Sequence, residues 1–398
     1  MSEWKEYTVE QLIELGMLEA PIDGNHGSIH PKSTDFVSSG VPFIMVNNMS
    51  DGNLDLKNCA FISEEQAATL RKGFAKPGDV LLSHKATIGR TAIVPNDYDT
   101  IILTPQITYY RIKRDIDNRF LKYYFDSPEF QNLFSNWACS GSTRAYLGIT
   151  AQRKLPIKLP EIDIQVKIAN LLSSIDEKIN NNNKINNNLE EQAQAIFKSW
   201  FVDFIRFGGK PPKDWSIGTV GDVIILHDSK RVPLSATTRD KMEKLYPYYG
   251  ATSLMDYVDN YIFDGIYLLL GEDGTVIDSF GFPILQYVHG QFWVNNHAHV
   301  ITSKNGFSVE YLYLLFSITN IKSIVTGAVQ QKISQKNLKS VPTIIPNKPA
   351  LTAFDKLIQP IFALIRNLRD ENERLIQLRD TLLPKLMSGE IDVSKITI

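Results

Sequence analysis

The sequence predicts an α+β protein: two similar strand-rich domains, each followed by a long α-helix, with the two helices packed as an antiparallel coiled coil with pseudo-twofold symmetry. Residues 164–204 contain no Pro or Gly, and their apolar residues recur at steps of three and four, as on one seam of a long helix. A stretch at about residues 350–387 repeats this seam with a constant offset of 186, as in Asn372 − Asn186 and Leu386 − Trp200. The chain therefore supplies a partner for its own helix.

The first long helix has a polar centre. Residues 180–183 and 186–188 are all Asn, and each Asn costs about 0.6 kcal/mol of helix stability relative to Ala. Burying one large aliphatic seam residue returns about 1.5–3 kcal/mol, so packing against the second helix is expected to stabilise the whole segment. If the twofold axis passes near the middle, Asn186 and Asn372 meet each other and set the register.

The two domains share a pattern of short apolar segments separated by Gly, Pro, Asn and Asp, which predicts strands and turns. Predicted strands lie at residues 41–46, 79–82, 91–94, 101–111, 266–270 and 298–302, and predicted short helices at 120–134 and 309–318. We predict a first strand-rich domain at 1–160 with its long helix at 161–207. The second domain is predicted at 208–346, after a Gly-Gly-Lys-Pro-Pro linker, with its long helix at 347–398.

Composition limits the function. The chain has 398 residues, a formal net charge of −2 and two cysteines, with neither a disulfide framework nor a zinc pattern. It shows no signal region and no apolar run of eighteen residues, so a cytoplasmic protein is expected. A protein that held nucleic acid by charge alone would be basic, so any DNA role must use local patches or partners.

The sequence also lacks catalytic motifs. It has no Gly-rich fingerprint for S-adenosylmethionine, no Asn-Pro-Pro-aromatic tetrapeptide and no phosphate-binding loop. Residues 271–274 could be an acidic metal loop, but we favour a turn equivalent to residues 86–89. Asp163 to Lys167 has a nuclease-like spacing, but the start of a helix favours acidic residues for electrostatic reasons. His297 and His299 would share one face of a strand without a third ligand, so no metal site is predicted.

Three stretches resemble the specificity (S) subunit of type I restriction–modification enzymes. Residues 195–204 (AIFKSWFVDF) and 382–391 (LLPKLMSGEI) are similar to the ends of that family's two conserved helices, and residues 81–90 (LLSHKATIGR) to a segment of its target-recognition domains. The resemblance implies that the predicted strand-rich domains are target-recognition domains, each reading half of an asymmetric bipartite site in double-stranded DNA.

The same resemblance implies partners. Two modification (methyltransferase) subunits would dock on the paired helices, and restriction (translocase and nuclease) subunits would complete the complex. S-adenosylmethionine, ATP and Mg would then be bound by these partners, and this chain would have no cofactor and no catalytic residues. Two alternatives stay open at this point: a self-contained methyltransferase or nuclease, and a duplicated scaffold without a DNA role.

Candidate DNA-binding residues are polar side chains on predicted loops, because base edges are read by paired donors and acceptors and phosphates by cations and hydroxyls. In the first domain they are Asn47, Asn48, Ser83, His84, Lys85, Thr87, Arg90, Thr104, Gln106, Ser142, Thr143, Arg144 and Tyr146. In the second they are Tyr249, Thr252, Asn295, Asn296, His297, Gln330, Gln331 and Lys332. Residues 142–144 and 330–332 are the strongest, because they occupy duplicated positions yet differ in residue type.

Aromatic residues cluster at the end of the first long helix: Phe197, Trp200, Phe201 and Phe204. They could form a docking face for a partner, but such a stripe more often packs a helix onto its own domain, and we favour that interpretation.

Overall fold

The computed structural model describes residues 4–50, 52–139, 144–327 and 329–394. The chain divides into two compact units. Unit 1 comprises Met1–Asn180 and Glu373–Ile398, and unit 2 comprises Asn181–Asn372. Each unit therefore contains a part of both long helices. The mixed helix-and-sheet architecture with long helices agrees with the predicted fold class.

Unit 1 combines short strands with short helices. Its strands are β1 (Lys5–Thr8), β2 (Ile22–Asp23), β3 (Val41–Ile44), β4 (Met49–Ser50), β5 (Asn53–Leu54), β6 (Ala60–Ile62), β7 (Phe74–Ala75), β8 (Val80–Lys85), β9 (Thr87–Ile93), β10 (Ile101–Leu103), β11 (Ile107–Tyr110) and β12 (Pro156–Leu159). Its helices are α1 (Val9–Glu14), α2 (Glu64–Thr69), α3 (Asn118–Asp126), α4 (Pro128–Cys139), α5 (Ile149–Gln152), the first half of α6 (Ile162–Phe201) and the last part of α10 (Lys348–Met387). Two four-stranded sheets have the orders β6-β3-β10-β7 and β2-β11-β8-β9, and β1 pairs with β12.

The prediction of one strand over residues 101–111 is wrong. The segment forms β10 and β11, which belong to different sheets: β10 pairs with β3 and β7, and β11 pairs with β2 and β8. Pro105 lies between them and has no amide proton for a strand ladder, so pairing stops there. This break brings Thr104 and Gln106 to the ends of two sheets.

Unit 2 has the same kind of composition with a larger sheet. Its strands are β13 (Ser216–Thr219), β14 (Ile224–Leu226), β15 (Tyr246–Tyr249), β16 (Leu254–Val258), β17 (Phe263–Gly271), β18 (Leu285–Val294), β19 (Ala298–Ser303) and β20 (Pro342–Ile345). Its helices are α7 (Ala236–Arg239), α8 (Val309–Ile318), α9 (Gln335–Lys339), the second half of α6 and the first part of α10 (Lys348–Met387). The order of its six-stranded sheet is β14-β19-β17-β18-β15-β16, and β13 pairs with β20.

Helices α6 and α10 each contain 40 residues, a length of about 60 Å. Within unit 1, Arg379 of α10 is 2.9 Å from Asp176 of α6, and Lys167 donates to the carbonyl of Ser394. Within unit 2, Arg369 of α10 is 2.8 Å from Glu190 of α6. In unit 1, the first part of α6 and the segment from Arg379 to Ser394 therefore run in opposite directions.

The predicted pairing of Asn186 with Asn372 is corrected by one helical turn. Asn182 donates to the Oδ1 atom of Asn372 at 2.8 Å, and Asn372 donates to Asn183 at 2.8 Å. Asn182 also donates to Glu371 at 2.8 Å. Asn186 is buried, and its Oδ1 atom has no hydrogen-bond partner among the described residues. The offset of 186 identifies Asn186 and Asn372 as equivalent residues of the repeat. The packing of the helices determines that Asn372 contacts Asn182 and Asn183 instead.

The aromatic cluster at the end of α6 belongs to the core of unit 2, as we favoured. Phe197, Trp200 and Phe201 are buried and pack against Tyr311 and Phe354. None of the helices in the described part of the chain combines the length and the apolar character that crossing a bilayer requires.

Candidate nucleic-acid interface

Unit 1 positions its candidate loops with three backbone hydrogen bonds at the end of strand β8. The amide of His84 donates to the carbonyl of Gln106 at 2.9 Å, and the amide of Leu147 donates to the carbonyl of His84 at 3.0 Å. The amide of Ala86 donates to the carbonyl of Ala145 at 3.0 Å. Ala145 and Leu147 are thereby held alongside the turn that joins β8 to β9.

Unit 2 contains the same backbone motif at the end of strand β17. The amide of Glu272 donates to the carbonyl of His297 at 2.8 Å, and the amide of Ile333 donates to the carbonyl of Glu272 at 2.8 Å. The amide of Gly274 donates to the carbonyl of Gln331 at 3.0 Å. Each bond has its counterpart in unit 1, so the two units hold their candidate loops with the same pattern of backbone hydrogen bonds, which we call the backbone frame.

This correspondence corrects one predicted equivalence. Hydrogen bonding aligns Glu272 with His84 and Gly274 with Ala86, so residues 271–274 correspond to residues 83–86 and not to 86–89. Ala86 and Gly274 both have positive φ, at 64° and 89°, a conformation that is common for Gly and rare for Ala. A residue in the left-handed conformation therefore turns the backbone at the same point in both units.

Side chains at the turn of unit 1 differ in exposure. Lys85 and Thr87 are exposed and face each other across the β8–β9 turn. Tyr146 is also exposed, and the Nζ atom of Lys85 lies 5.9 Å from the centre of its ring. Arg144 is exposed two residues before Tyr146. Lys85 thus lies beside both Thr87 and Tyr146, which brings a cation, a hydroxyl and an aromatic ring together at the surface.

Four other candidates in unit 1 are buried, which argues against direct contact with DNA and corrects that expectation. They are Asn48, Ser83, His84 and Thr104. The Oδ1 atom of Asn48 accepts from the amide of Met45 at 3.0 Å, and Ser83 Oγ accepts from the amide of Arg90 at 2.8 Å. These short polar side chains stabilise turns, which is the ordinary use of such residues.

Arg90 has a structural contact of its own. Its guanidinium donates to the carbonyls of Val46 and Met49 at 3.0 and 2.9 Å, which ties the 46–49 turn to strand β9. Asn47 is exposed in that turn, and Gln106 is half-buried. Ser142 and Thr143 lie outside the described residues.

His84 is a buried histidine with one unsatisfied nitrogen. Its Nδ1 atom lies 3.0 Å from the carbonyl oxygen of Leu147, and its Nε2 atom has no partner among the described residues. Burial lowers the pKa of His84, because the imidazolium would lose its hydration, although the hydrogen bond to Leu147 acts in the opposite direction. The neutral ring therefore holds the loop by donating from Nδ1.

Acidification is expected to destabilise unit 1 through His84. Below pH about 6.5, the ordinary pKa of His, the unfolded chain binds a proton that the folded chain does not. The free energy of unfolding then falls, by at most about 1.4 kcal/mol per pH unit, until the pH reaches the folded pKa. Denaturant unfolding at pH 7.5 and 5.5 should show a smaller loss for His84→Asn than for the unaltered chain. An identical pH dependence in both proteins would contradict this role.

In unit 2, as in unit 1, some candidate residues are buried and others are exposed. Asn295 is buried, and its Oδ1 atom accepts from the amide of His297 at 2.8 Å, so direct DNA contact is again disfavoured. Asn296, His297 and Thr252 are exposed, and Tyr249 is half-buried. His297 Nδ1 lies 2.6 Å from the carboxylate of Asp273.

In unit 2, two backbone hydrogen bonds join Thr326 to Lys332. The amide of Thr326 donates to the carbonyl of Lys332 at 2.9 Å, and the amide of Lys332 donates back at 2.8 Å. Gln330 and Lys332 are exposed and Gln331 is half-buried. Lys332 also forms an isolated bridge with Asp273, in the position where Tyr146 bridges Lys85 in unit 1. The two frames thus carry different side chains at matching positions.

A buried ionic network underlies this loop, and sequence reasoning missed it. Arg231 donates to the carboxylate of Glu272 at 2.7 Å and to the carbonyl of Asp228 at 3.0 Å. His299 is buried, with Nδ1 2.6 Å from Asp228 and Nε2 2.8 Å from the carbonyl of Ile333. The only sequence signal for this network is the short spacing between Asp228 and Arg231, because Glu272 and His299 are distant in the chain.

Asp228, Glu272 and His299 could also be considered as metal ligands, because their ligand atoms lie within 4.8 Å of one another. They do not fit a resident metal, since Arg231 already supplies a cation and Gln335 donates to Asp228 at 2.6 Å. Burial raises the pKa of Asp228, but hydrogen bonds from His299 and the Val300 amide, together with the nearby positive charges, leave that pKa lowered. The carboxylate is stabilised by protein donors.

Comparisons with known proteins agree on one family. A family model described as "Type I restriction modification DNA specificity domain" matches residues 1–191 and 212–377. The type I restriction enzyme MjaIX specificity subunit of Methanocaldococcus jannaschii is 27% identical over 350 residues, covering 80% of this chain and 79% of that protein. The HindI specificity subunit of Haemophilus influenzae is 24% identical, covering 98% of this chain and 100% of that protein.

One solved structure also has a similar fold. It is described as the type I restriction–modification system S subunit from M. genitalium, and it superposes with a TM-score of 0.58 and 15% sequence identity. The match covers 97% of this chain and 96% of that one. At this identity the likeness supports the fold alone.

Proposed function

The chain belongs to the type I restriction–modification DNA specificity family, and we propose that each of its units reads one half of an asymmetric bipartite DNA site. The observation that carries this proposal is the duplicated backbone frame with different side chains. Lys85 and Tyr146 occupy in unit 1 the positions that Asp273 and Lys332 occupy in unit 2. An identical pair of readers would serve a symmetric site, whereas one frame with two side-chain sets suits two different half-sites.

We further propose that the long helices pair as an antiparallel coiled coil with pseudo-twofold symmetry and set the spacer between the half-sites. The offset of 186 supports this, because it makes Leu368 the equivalent of Asn182 (368 − 182) and Asn372 the equivalent of Asn186. The symmetric mate of the Asn182–Asn372 pair is then Asn186 with Leu368. A polar side chain opposite an aliphatic one also accounts for the unsatisfied Oδ1 atom of Asn186.

In this proposal the chain itself is not catalytic. Two modification subunits dock on the paired helices, and restriction subunits complete the complex. S-adenosylmethionine, ATP and Mg belong to those partners, because the chain lacks the motifs that hold them. The nearly twofold repeat supports the number two, since a duplicated surface offers one partner the same contacts twice.

Binding to defined duplexes tests the proposed function. The chain with its modification partner should shift a duplex that carries one bipartite sequence at concentrations that leave scrambled duplexes free. Equal binding to every duplex would contradict the specificity role and favour a scaffold that does not recognise DNA sequence. Methyl transfer by the purified chain alone, with S-adenosylmethionine, would instead favour a self-contained methyltransferase.

Replacing Arg144 should affect one half-site only. Arg144 is exposed in the unit 1 loop, and a bidentate contact of Arg with guanine contributes about 1–3 kcal/mol to discrimination. Arg144→Ala is therefore expected to weaken or relax recognition of the half-site read by unit 1 by that amount. Competition binding with duplexes altered in one half-site at a time measures it. Equal weakening for changes in both half-sites would assign Arg144 to the DNA backbone instead.

A further inference from the structure

Val329 lies in the chain between Thr326 and Lys332, which two backbone hydrogen bonds join in unit 2. Its relative exposure is 103%, the highest among the large hydrophobic side chains of the described residues. Leaving an aliphatic side chain in water forgoes the stabilisation of about 25 cal/mol that each buried Å² of apolar surface provides. The valine side chain at this position therefore adds nothing to the stability of unit 2.

Hydrogen bonds hold the residues that flank Val329 in the chain, Thr326 on one side and Lys332 and Ile333 on the other. The paired hydrogen bonds between Thr326 and Lys332 measure 2.9 and 2.8 Å. Ile333, the next residue, is held by its amide to Glu272 at 2.8 Å and by its carbonyl to the buried ring of His299 at 2.8 Å. A segment whose two ends are held in this way has less backbone freedom to lose on binding than a segment with free ends.

We propose that Val329 is a specificity-determining residue that contacts the C5-methyl group of a thymine in the major groove. This inference rests on the proposed function and refers to the half-site read by unit 2. The thymine methyl is the apolar group that the major groove displays, and it is read by apolar side chains. Gln330, the neighbouring exposed residue, carries the amide that pairs with the N6 and N7 atoms of adenine. Together the two residues are suited to A·T pairs.

A wedge between base steps is the other use of an exposed apolar side chain on DNA. The side chains that unstack bases from the minor groove are typically Phe, Leu, Ile, Met or Pro. Val is shorter than Leu, Ile or Met and is branched at Cβ, so it reaches less far between stacked bases. The surface that it offers instead matches a single methyl group.

The test removes the methyl group from each side of the contact. Duplexes with uracil in place of thymine, one position at a time in the second half-site, are compared for the unaltered chain and for Val329→Ala, each with its modification partner. At one position the unaltered chain should lose about fourfold in affinity, the effect of one buried methyl, and Val329→Ala should show no further loss there. Ile217→Ala, which alters another strongly exposed aliphatic side chain of unit 2, at 85%, should keep the uracil effect.

Uracil substitution that weakens neither protein, or that weakens Val329→Ala as much as the unaltered chain, would overturn the inference. Uracil is tested on the unaltered chain as well, so the result does not depend on the variant folding. The two proposals fail separately. A complex without any half-site preference contradicts the proposed function, whereas a sequence-specific complex without a thymine-methyl effect contradicts the role of Val329 alone.

Discussion

Inserting seven residues into both long helices, after Lys184 and after its equivalent Asp370, should lengthen the recognised spacer and leave both half-sites unchanged. Seven helical residues add about 10 Å, which is close to three base pairs of B-DNA at 3.4 Å each. A heptad keeps the apolar seam in phase, so the inserted turns extend the pairing without breaking it. The expected motif keeps its specific bases and gains about three unspecific positions.

The matched control inserts the heptad into α6 alone. The two helices then differ in length, and the hydrogen bonds of Asn372 with Asn182 and Asn183 cannot form together with the remaining seam contacts. This single insertion should abolish specific methylation and destabilise the chain. Methylation mapping of cells that carry each variant distinguishes the cases. A double insertion that changes the bases of either half-site would contradict the assignment of base reading to the units and spacing to the helices.

Replacing Arg231 with Met should strongly destabilise unit 2 and abolish reading of its half-site. The side chain of Arg231 is 11% exposed and lies 2.7 Å from Glu272, and its guanidinium also donates to the carbonyl of Ala298 at 2.6 Å. Removing it takes the guanidinium away from the carboxylates of Glu272 and Asp228, from which it lies 2.7 and 3.7 Å. Of the other groups near these carboxylates, Lys332 lies 3.5 Å from Glu272 and is itself half exposed. Breaking a buried pair from one side costs about 3–5 kcal/mol. The loop that ends at Ile333 should then lose its support.

Two comparisons make this result interpretable. Glu272→Gln in the Arg231→Met background should recover part of the stability, because it removes one of the unpaired charges, and a double-mutant cycle measures that coupling. Lys336→Met, at an exposed cation in the same unit, should change the free energy of unfolding by less than about 0.5 kcal/mol. Denaturant unfolding gives the stabilities, and binding to duplexes altered in one half-site gives the function. Unchanged stability in Arg231→Met would contradict the network.

The repeat made most of the architecture accessible from sequence. Equivalent residues at an offset of 186 have the same spacing along both helices, so the two long helices and their apolar seams follow from a linear pattern. The contact of Asn372 with Asn182 instead of Asn186 did not follow, because helices can slide by one turn without changing the pattern. Only the packing of large side chains on both sides selects one register.

The candidate site was only partly accessible, for a related reason. Lys85, Tyr146, Gln330 and Lys332 are exposed, as their residue types and predicted loop positions suggested, and their contact with DNA stays a prediction. Polar residues such as His84 also looked like surface residues in the sequence, but they are buried. Their burial depends on strand ends that are distant in the chain and meet only in the folded structure. The network around Arg231 joins positions 41 and 68 residues further along the chain (272 − 231 and 299 − 231), which no local pattern records.

Long-read methylome sequencing of cells that carry this chain and its modification partner tests the central claim most directly. The account predicts adenine methylation at one asymmetric motif, with two specific half-sites separated by a gap of fixed length and unspecified sequence. The methylation should disappear when the chain is removed and the modification partner is retained. A continuous motif without a gap, or the same methylated sequence in the absence of this chain, would contradict the account.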